Sequence, residues 1–470
     1  MTNELAAIAA HVWELAGGTP AISARLAISG PRAFLPSAFD VTGLATATVA
    51  AATLAAAEYQ AARNDSAVAT VRVDSRAACA AFAAEGLFTP VGWSLPDIWD
   101  PIAGNYQARD GWIRLHTNYA SHRAAVTRLL KTDDPDAVRA AVSQWKAADL
   151  EAAVVAAGGC AAAMHDRDGW LASAPGTASA AAPALAVAER PLPAGSAPRP
   201  GGTGARPEGP AGRPYAGVRV LDLTRVIAGP IGTRFLAAYG ADVLRLDPPG
   251  FAEVPAVLPE TTAGKRTAAV DLRTPPGRAA FERLVAGADV LVTGLRADAL
   301  GRLGFDDAAL TALNPALIIT AHDAYGWDGP WRDRRGFDSL VQMSCGIAAA
   351  GATAAGADKP VPLPVQALDH ATGYLLAAAV GRALTTRLTR GAASRVRASL
   401  VGTANLLWSL PRPADLADQP RMPRPGEIPL VETQTAWGPA RRVPVPGEIS
   451  GTAPELRAEA GPLGRHEPAW

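Results

Sequence analysis

The residue best suited to chemistry is Asp369, in the run Leu368-Asp-His-Ala-Thr-Gly373. An Ala-rich stretch follows, so the sequence predicts that Asp369 lies at the start of a helix, against unpaired N–H groups and the positive end of the helix dipole. That position favours an ionised carboxylate at neutral pH, and a carboxylate can attack an activated carbonyl as a nucleophile. The alternative interpretation is structural, because an aspartate before a helix is commonly its N-cap.

Other classes of site find little support in the sequence. The three cysteines, Cys79, Cys160 and Cys345, lie far apart without metal-ligand spacing, so we expect neither a disulfide framework nor a metal site. Lys and Arg number 44 and Asp and Glu number 44, so the formal charge is zero. No global field then attracts nucleic acid or an anionic membrane, and any bound anion must be held by local groups.

Strands and helices alternate in the second half of the chain. Predicted strands are Val218–Leu223, Gly240–Leu246, Asp289–Val292 and Leu317–Thr320, and predicted helices are Thr233–Tyr239, Pro276–Ala286 and Asp307–Leu313, with a glycine-bearing turn at 228–232. This pattern is typical of a parallel α/β sheet, which binds ligands at the carboxyl ends of its strands.

One element is predicted twice. Leu35–Leu44 precedes an Ala-rich helix and the strand Val71–Ser75, and Leu363–Tyr374 likewise precedes an Ala-rich helix and the strand Val396–Ser399. Both segments carry Thr-Gly at the start of the helix, which indicates an internal repeat. The apolar run 41–57 within the first copy is mostly Ala and Thr, so a packed interior helix is favoured over a membrane span of about 20 strongly apolar residues.

Pro and Gly are dense enough in 191–214 to predict a linker, and Pro411–Pro446 leads into an extended tail. The 470 residues, of which 49% are hydrophobic and 19% charged, exceed one usual domain and suffice for a core. The N-terminal residues lack the basic and apolar regions of a signal peptide, so we expect a cytoplasmic protein.

Six blocks of the second half together resemble the class III CoA-transferases, the CaiB/BaiF type, a family that includes the α-methylacyl-CoA racemases. In order, these blocks are 214–230, 240–248, 264–272, 301–304, 326–330 and 368–373. The resemblance implies a Rossmann-like, parallel-sheet CoA domain with a smaller α+β domain, and often a dimer of interlocked chains.

The first half resembles other parts of the same family, so the chain reads as two incomplete fused copies. The predicted division is a degenerate helix-strand copy at 1–92, a small domain at 93–190, a Pro/Gly linker at 191–213, the CoA domain at 214–412 and a family-like tail at 413–470. The assembly is then either a homodimer or a pseudo-dimer closed within one chain.

The resemblance also implies roles for particular residues. Asp369 corresponds to the catalytic nucleophile, whereas Phe39 holds that position in the first copy and Asp40 comes one residue late, so one competent site is expected. Phe337 stands where the racemases have a proton-carrying histidine, which disfavours racemisation. His370, next to Asp369, leaves a proton-carrying role open, but a solvent-facing position on the helix is expected for it.

Coenzyme A needs backbone N–H groups, basic side chains and an apolar wall. The resemblance suggests as contacts Ile227, Ala228, Lys265, Arg296, Arg302 and Arg335. Pro248 replaces a basic residue common in relatives, and Arg245 could compensate for it. Gly351 and Gly356 are candidates for backbone oxyanion donors.

The leading hypothesis is a CoA-transferase that moves CoA from an acyl-CoA to a carboxylic acid through an aspartyl-CoA intermediate on Asp369. It has no permanently bound cofactor, and the CoA thioester is a substrate. The alternatives are a non-catalytic acyl-CoA-binding relative, and a racemase or isomerase of acyl-CoA.

Overall fold

The computed structural model describes residues 2–193, 212–412, 421–424 and 426–470. The helices are α1 (Thr2–Leu15), α2 (Pro20–Ser23), α3 (Val41–Asn64), α4 (Ser75–Phe82), α5 (Ala84–Leu87), α6 (Ala120–Leu130), α7 (Pro135–Val142), α8 (Ala147–Ala156), α9 (Arg167–Ala172), α10 (Ala174–Ser179), α11 (Ala228–Ala238), α12 (Leu258–Thr261), α13 (Pro275–Gly287), α14 (Ala299–Arg302), α15 (Asp307–Leu313), α16 (Asp338–Ser344), α17 (Ile347–Ala355), α18 (Ala367–Arg390) and α19 (Leu400–Ser409).

The strands are β1 (Leu26–Ser29), β2 (Val71–Asp74), β3 (Thr89–Pro90), β4 (Gly104–Gln107), β5 (Trp112–Leu115), β6 (Ala161–Ala163), β7 (Leu185–Pro191), β8 (Arg219–Leu223), β9 (Asp242–Asp247), β10 (Arg266–Ala269), β11 (Val290–Thr293), β12 (Ile318–Asp323), β13 (Ala392–Ser399), β14 (Val431–Thr435), β15 (Gly438–Arg442) and β16 (Glu448–Ile449).

Within the described residues, the largest sheet has seven strands in the order β10-β9-β8-β11-β12-β13-β7. All its neighbouring strands are parallel except β13 and β7. Helices cover both faces, so strands such as Val290–Thr293 are buried at every residue. The predicted mixed α/β architecture with a largely parallel sheet is confirmed.

Strand β7 corrects the predicted boundary near 190. Leu185–Pro191 pairs antiparallel with Ala392–Ala398 of β13, so the end of the segment predicted as the small domain forms the edge of the large sheet. Residues 104–163 of that segment build the separate antiparallel sheet β4-β5-β6, which packs on α6, α7 and α8 around its own core. Most of the predicted linker, residues 194–211, lies outside the described residues.

The repeated element forms two long helices that pack against each other in the centre of the molecule. Helix α3 and helix α18 have 24 residues each, are buried along most of their length and are followed by β2 and β13 respectively. Helix α3 is long and apolar enough to cross a membrane, but 94% of its most apolar window is buried inside the protein. The predicted interior helix is therefore confirmed, while a common origin of the two copies stays a prediction.

The tail forms more structure than predicted. Strands β14 and β15 make a hairpin that pairs with β3, and β16 pairs with β2. The tail therefore adds strands to the first part of the chain, because the short edges of β2 and β3 offer unpaired N–H and C=O groups. Residues 413–420 and 425 of the predicted tail segment lie outside the described residues.

Candidate active site

A cavity of about 410 Å³ opens at the carboxyl ends of β8, β11 and β12, where the α/β pattern predicts a ligand site. We call it the central cavity. It is lined by four of the seven residues predicted for the site, namely Ala228, Arg296, Arg335 and Asp369. Residues from the small domain close its other side. The structure thus brings the predicted nucleophile together with three predicted CoA contacts.

Asp369 lies in the first turn of α18 but does not cap this helix. Gln366 is the N-cap residue and makes no side-chain capping bond. Instead, Asp338 Oδ2 accepts hydrogen bonds from the backbone N–H groups of Leu368 at 2.8 Å and Asp369 at 3.0 Å. Because Asp338 satisfies these first-turn donors, the carboxyl group of Asp369 is left for the cavity. The interpretation of Asp369 as an N-cap is wrong.

Gly373 allows α18 to approach α11 closely. A Cβ atom on Gly373 would collide with the backbone oxygen of Ala228, and one on Gly232 would collide with the backbone of Gly373. This contact places the start of α11, which contains Ala228, beside the turn that carries Asp369. The spacing of four residues between Asp369 and Gly373 is therefore explained by helix packing.

The charge state expected for Asp369 is corrected by its surroundings. Burial raises the pKa of Asp369 well above its usual range, and the negative charges of Asp338 and Glu85 raise it further. Burial also raises the pKa of Asp338 to about 6, against the hydrogen bonds that Asp338 accepts. The sequence missed this effect because the opposing carboxylates come from distant parts of the chain.

Contrary to prediction, His370 does not face solvent. Its side chain is fully buried, its Nε2 lies 3.1 Å from Glu85 Oε2, and its ring stacks on Phe82. Glu85 and Phe82 belong to α5 and α4, so this contact ties the start of α18 to the first half of the chain. His370 does not line the central cavity, which gives it no direct route to a substrate proton.

Two arginines on the cavity wall have no carboxylate partner within 4 Å among the described residues. Arg335 donates only to the backbone oxygen of Gly158, and Arg296 is exposed. Burial and the like charges of Arg335 and Arg302 lower the pKa of Arg296, so the three guanidinium groups form one positive cluster. Arg302 itself pairs with Asp298 and does not line the cavity.

Lys265 is placed away from the central cavity, contrary to its predicted role as a CoA contact. Its ammonium group is buried 3.0 Å from Asp222 Oδ2 and 2.9 Å from the backbone oxygen of Pro230. Asp222 also accepts a hydrogen bond from Thr233 in α11. Lys265 therefore holds α11 against the sheet.

Where the loop before α11 meets the helix, at 226–228, two of the three residues reach the cavity. Val226 and Ala228 line the cavity, whereas Ile227 is buried between them and does not, contrary to prediction. Val226 has a φ of 61°, which is strained for a β-branched residue, and its N–H donates to Glu253 Oε2 at 3.0 Å. The helix begins at Ala228, so the predicted turn at 228–232 is helical.

Three further expectations fail. Gly351 lies inside α17 against the backbone of Val361, and Gly356 ends that helix, so neither lines the cavity as an oxyanion donor. Arg245 is fully buried between Asp247 and Glu253 and cannot replace a basic residue at position 248.

The small domain contributes cavity residues that the motifs did not reveal. Tyr119 and His122, at the start of α6, line the central cavity together with residues from the second half of the chain. Tyr119 Oη donates to Glu253 Oε1 at 2.6 Å. Phe337 also lines it and stacks on His116 with 3.7 Å between ring centroids. Burial and the charge of Arg335 lower the pKa of His122 to about 4, so its imidazole is neutral at pH 7.

A second cavity of about 270 Å³ adjoins the first, and we call it the edge cavity. It lies at the carboxyl ends of β8, β9 and β10 and shares Arg225 and Leu295 with the central cavity. Its remaining wall is mainly apolar and includes Pro248 and the exposed Arg273.

Among the described residues, no group of three or more His, Cys, Asp or Glu side chains could hold a metal ion.

Comparison with known proteins confirms the predicted resemblance. Residues 215–441 match the model of CoA-transferase family III.

Two curated relatives and one solved structure illustrate the similarity. A probable fatty acyl-CoA transferase of Mycobacterium tuberculosis is 33% identical over 224 residues, which are 44% of this chain and 56% of the relative. A succinate–glutarate CoA-transferase of Agrobacterium fabrum is 32% identical over 204 residues, which are 40% and 50%. The match therefore spans about half of these relatives. A CaiB/BaiF family protein from Brucella suis has a solved structure that is 26% identical, with a TM-score of 0.37 over 48% of this chain and 65% of that chain.

Proposed function

We propose that this chain is a CoA-transferase that moves CoA from an acyl-CoA to a carboxylic acid through Asp369. The observation that carries the proposal is the position of Asp369 on the wall of the central cavity, with its neighbouring backbone donors satisfied by Asp338. The family match and the relatives named as CoA-transferases support it.

The chemistry uses Asp369 as a nucleophile. An oxygen of its carboxylate attacks the thioester carbonyl, the C–S bond breaks and CoA leaves as a thiolate, which yields a mixed anhydride. The thiolate then attacks the Asp369 carbonyl, releases the donor acid and leaves an aspartyl-CoA thioester. An acceptor carboxylate attacks that thioester and takes the CoA by the reverse steps, which regenerates Asp369.

The first turn of α11 is the best placed group to stabilise developing negative charge. Ala228 lies on the cavity wall, and the first N–H groups of this 11-residue helix have no partner within the helix. Backbone donors aimed at a developing oxyanion act without reorganising during the reaction. We assign this role to α11 in place of the two glycines considered from the sequence.

The two adjoining cavities suit the two ends of CoA. The edge cavity offers a mainly apolar wall that fits an adenine ring, and its arginines, Arg225 and Arg273, each have a carboxylate partner on the same wall, Asp247 and Asp271. Arg296 and Arg335 leave positive charge uncompensated at the central cavity, where they meet the phosphates or the acid. CoA then runs from the edge cavity past Arg225 to Asp369.

Neither alternative gains a specific observation. A racemase needs a second proton carrier opposite Asp369, but Phe337 cannot carry a proton and His370 is buried against Glu85. A purely binding role does not explain why the Asp369 carboxyl group opens to the cavity although it is buried and nearby negative charges raise its pKa.

Transfer can be tested directly by incubating the protein with an acyl-CoA and a different carboxylic acid and quantifying the new acyl-CoA. We expect turnover by the wild type and by the exposed-aspartate control Asp358→Asn, and none by Asp369→Asn. Saturable acyl-CoA binding without turnover would support the binding protein, and α-deuterium exchange without transfer would support the racemase.

A further inference from the structure

The end of strand β12 brings two titratable side chains into the central cavity that the transfer chemistry does not use. His322 and Asp323 are consecutive, and both line the cavity that contains Asp369. Successive strand residues point to opposite faces, but β12 ends at Asp323, so both side chains reach the rim of the sheet.

Each of these side chains has a buried polar atom with no hydrogen-bond partner among the described residues. The free atoms are His322 Nε2 and Asp323 Oδ2, while Asp323 Oδ1 accepts the N–H of Gly326 at 2.9 Å. A buried polar atom without a partner is costly and needs an explanation. In a cavity proposed to bind substrate, the simplest explanation is a hydrogen bond to a polar group of the substrate.

The protonation states of His322 and Asp323 limit which polar group of the substrate could bind them. Burial lowers the pKa of His322 to about 4, so its imidazole is neutral at pH 7 and presents one donor and one acceptor nitrogen. Burial raises the pKa of Asp323 to about 7, so its carboxyl group is present in both forms near neutrality. A hydroxyl group can donate and accept, and it therefore satisfies both side chains in either protonation state.

A purely alkyl acyl chain would leave both atoms unsatisfied. A second carboxylate would face an Asp323 that is partly ionised; Arg397 adds positive and Asp333 negative charge nearby, and burial still leaves the pKa of Asp323 raised. In the proposed function the acyl carbonyl lies at Asp369 and the nucleotide end of CoA lies in the edge cavity. His322 and Asp323 are then left to contact the acyl group.

We propose that the acid handled at this site carries a hydroxyl group, which hydrogen-bonds to His322 and Asp323. This inference rests on the proposed function for the identity of the CoA ester. Two further cavity residues, His122 and Arg334, also have a buried nitrogen that finds no partner in the described part of the chain, which adds to the polar character of the acyl end.

The test measures binding and does not depend on turnover. In an Asp369→Asn background, which cannot form an adduct, titration calorimetry gives the Kd of butyryl-CoA and of 2-, 3- and 4-hydroxybutyryl-CoA. We expect at least one hydroxylated ester to bind roughly 10-fold more tightly than butyryl-CoA. Adding Asp323→Leu or His322→Phe should reduce that ratio towards one.

Asp323→Asn retains hydrogen-bonding atoms and should keep most of the preference, and Asp358→Leu serves as an exposed control that leaves the ratio unchanged. Thermal melts establish that each variant is folded. Equal affinity for all four esters would overturn the inference. Tighter binding of succinyl-CoA would also overturn it if neither Asp323→Leu nor His322→Phe weakens that binding. A loss of affinity shared equally by all esters would place the pair on the pantetheine arm and overturn it too. Absence of transfer by the wild type would instead count against the proposed function.

Discussion

The carboxylate of Asp338 accepts the backbone N–H of Asp369 at 3.0 Å, so one acidic side chain holds the backbone of another. The contact fixes the first turn of α18 and places a second negative charge close to the proposed nucleophile. The two effects can be separated by experiment, because the first depends on a hydrogen-bond acceptor and the second on charge.

Replacing Asp338 with Asn removes the charge but keeps an oxygen acceptor. In the proposed mechanism the carboxylate form of Asp369 is the nucleophile, so kcat/KM should rise with pH through the pKa of Asp369, which lies well above the usual value. Without the charge of Asp338 that pKa falls, and the acid limb of the pH profile should move to lower pH. An acid limb that stays in place or moves to higher pH would contradict this.

Asp338→Ala removes the acceptor as well. The N–H groups of Leu368 and Asp369 would be left unpaired in a buried position, so we expect the free energy of unfolding to fall by about 1–3 kcal/mol. Denaturant unfolding of Asp338→Ala beside Asp338→Asn measures the difference. Equal stability of the two variants would show that the hydrogen bonds do not stabilise the helix start.

Glu85, on α5 in the first half of the chain, acts on the same carboxyl group. Glu85→Gln removes a negative charge that raises the pKa of Asp369 and should also move the acid limb to lower pH. Glu58→Gln is a matched control, since Glu58 of α3 pairs with Arg382 of α18, away from Asp369 in the sequence of that helix. The account fails here if both variants give the same pH profile.

The arginines divide into two groups. Arg296→Ala and Arg335→Ala should each raise the KM for acyl-CoA roughly 10-fold, because each loses hydrogen bonds to a charged ligand group. Arg302→Ala should have a smaller effect, since Arg302 pairs with Asp298 outside the cavity wall, and the exposed Arg109→Ala should have none. Steady-state kinetics at varied acyl-CoA checks this, and an Arg302→Ala effect larger than the other two would contradict it.

Lys265 should matter for stability. Lys265→Met leaves Asp222 buried without its partner, and we expect a loss of about 3–5 kcal/mol in the free energy of unfolding. Adding Asp222→Asn should recover part of that loss. A raised KM for acyl-CoA in a Lys265→Met protein of normal stability would restore its predicted role as a ligand contact.

The sequence predicted the parts of the fold that depend on local pattern. The alternation of apolar segments predicted β8, β9, β11, β12, α13 and α15 to within a few residues and α11 apart from its early start, whereas β10, α12 and α14 were not predicted. Thr-Gly marked both long helices. Strand β7 was missed because its partner, β13, is distant in sequence and its outer residues are exposed like those of a linker.

The site was predictable where a motif carried it. Asp369, Arg296 and Arg335 reach one cavity, but the sequence could not show that Lys265 faces Asp222, since both residues are far apart and charged residues are usually exposed. Tyr119, His122, His322 and Asp323 belong to no recognised block. Their convergence is set by how the small domain packs on the sheet, which no local pattern encodes.

The most direct measurement of the central claim is the intact mass of the protein during turnover with an acyl-CoA. The account predicts a fraction whose mass is increased by CoA less one water, located by peptide mapping to Asp369, removed by hydroxylamine, and absent from Asp369→Asn but present in Asp358→Asn. An active wild-type protein without this adduct, or an adduct that persists in Asp369→Asn, would contradict it.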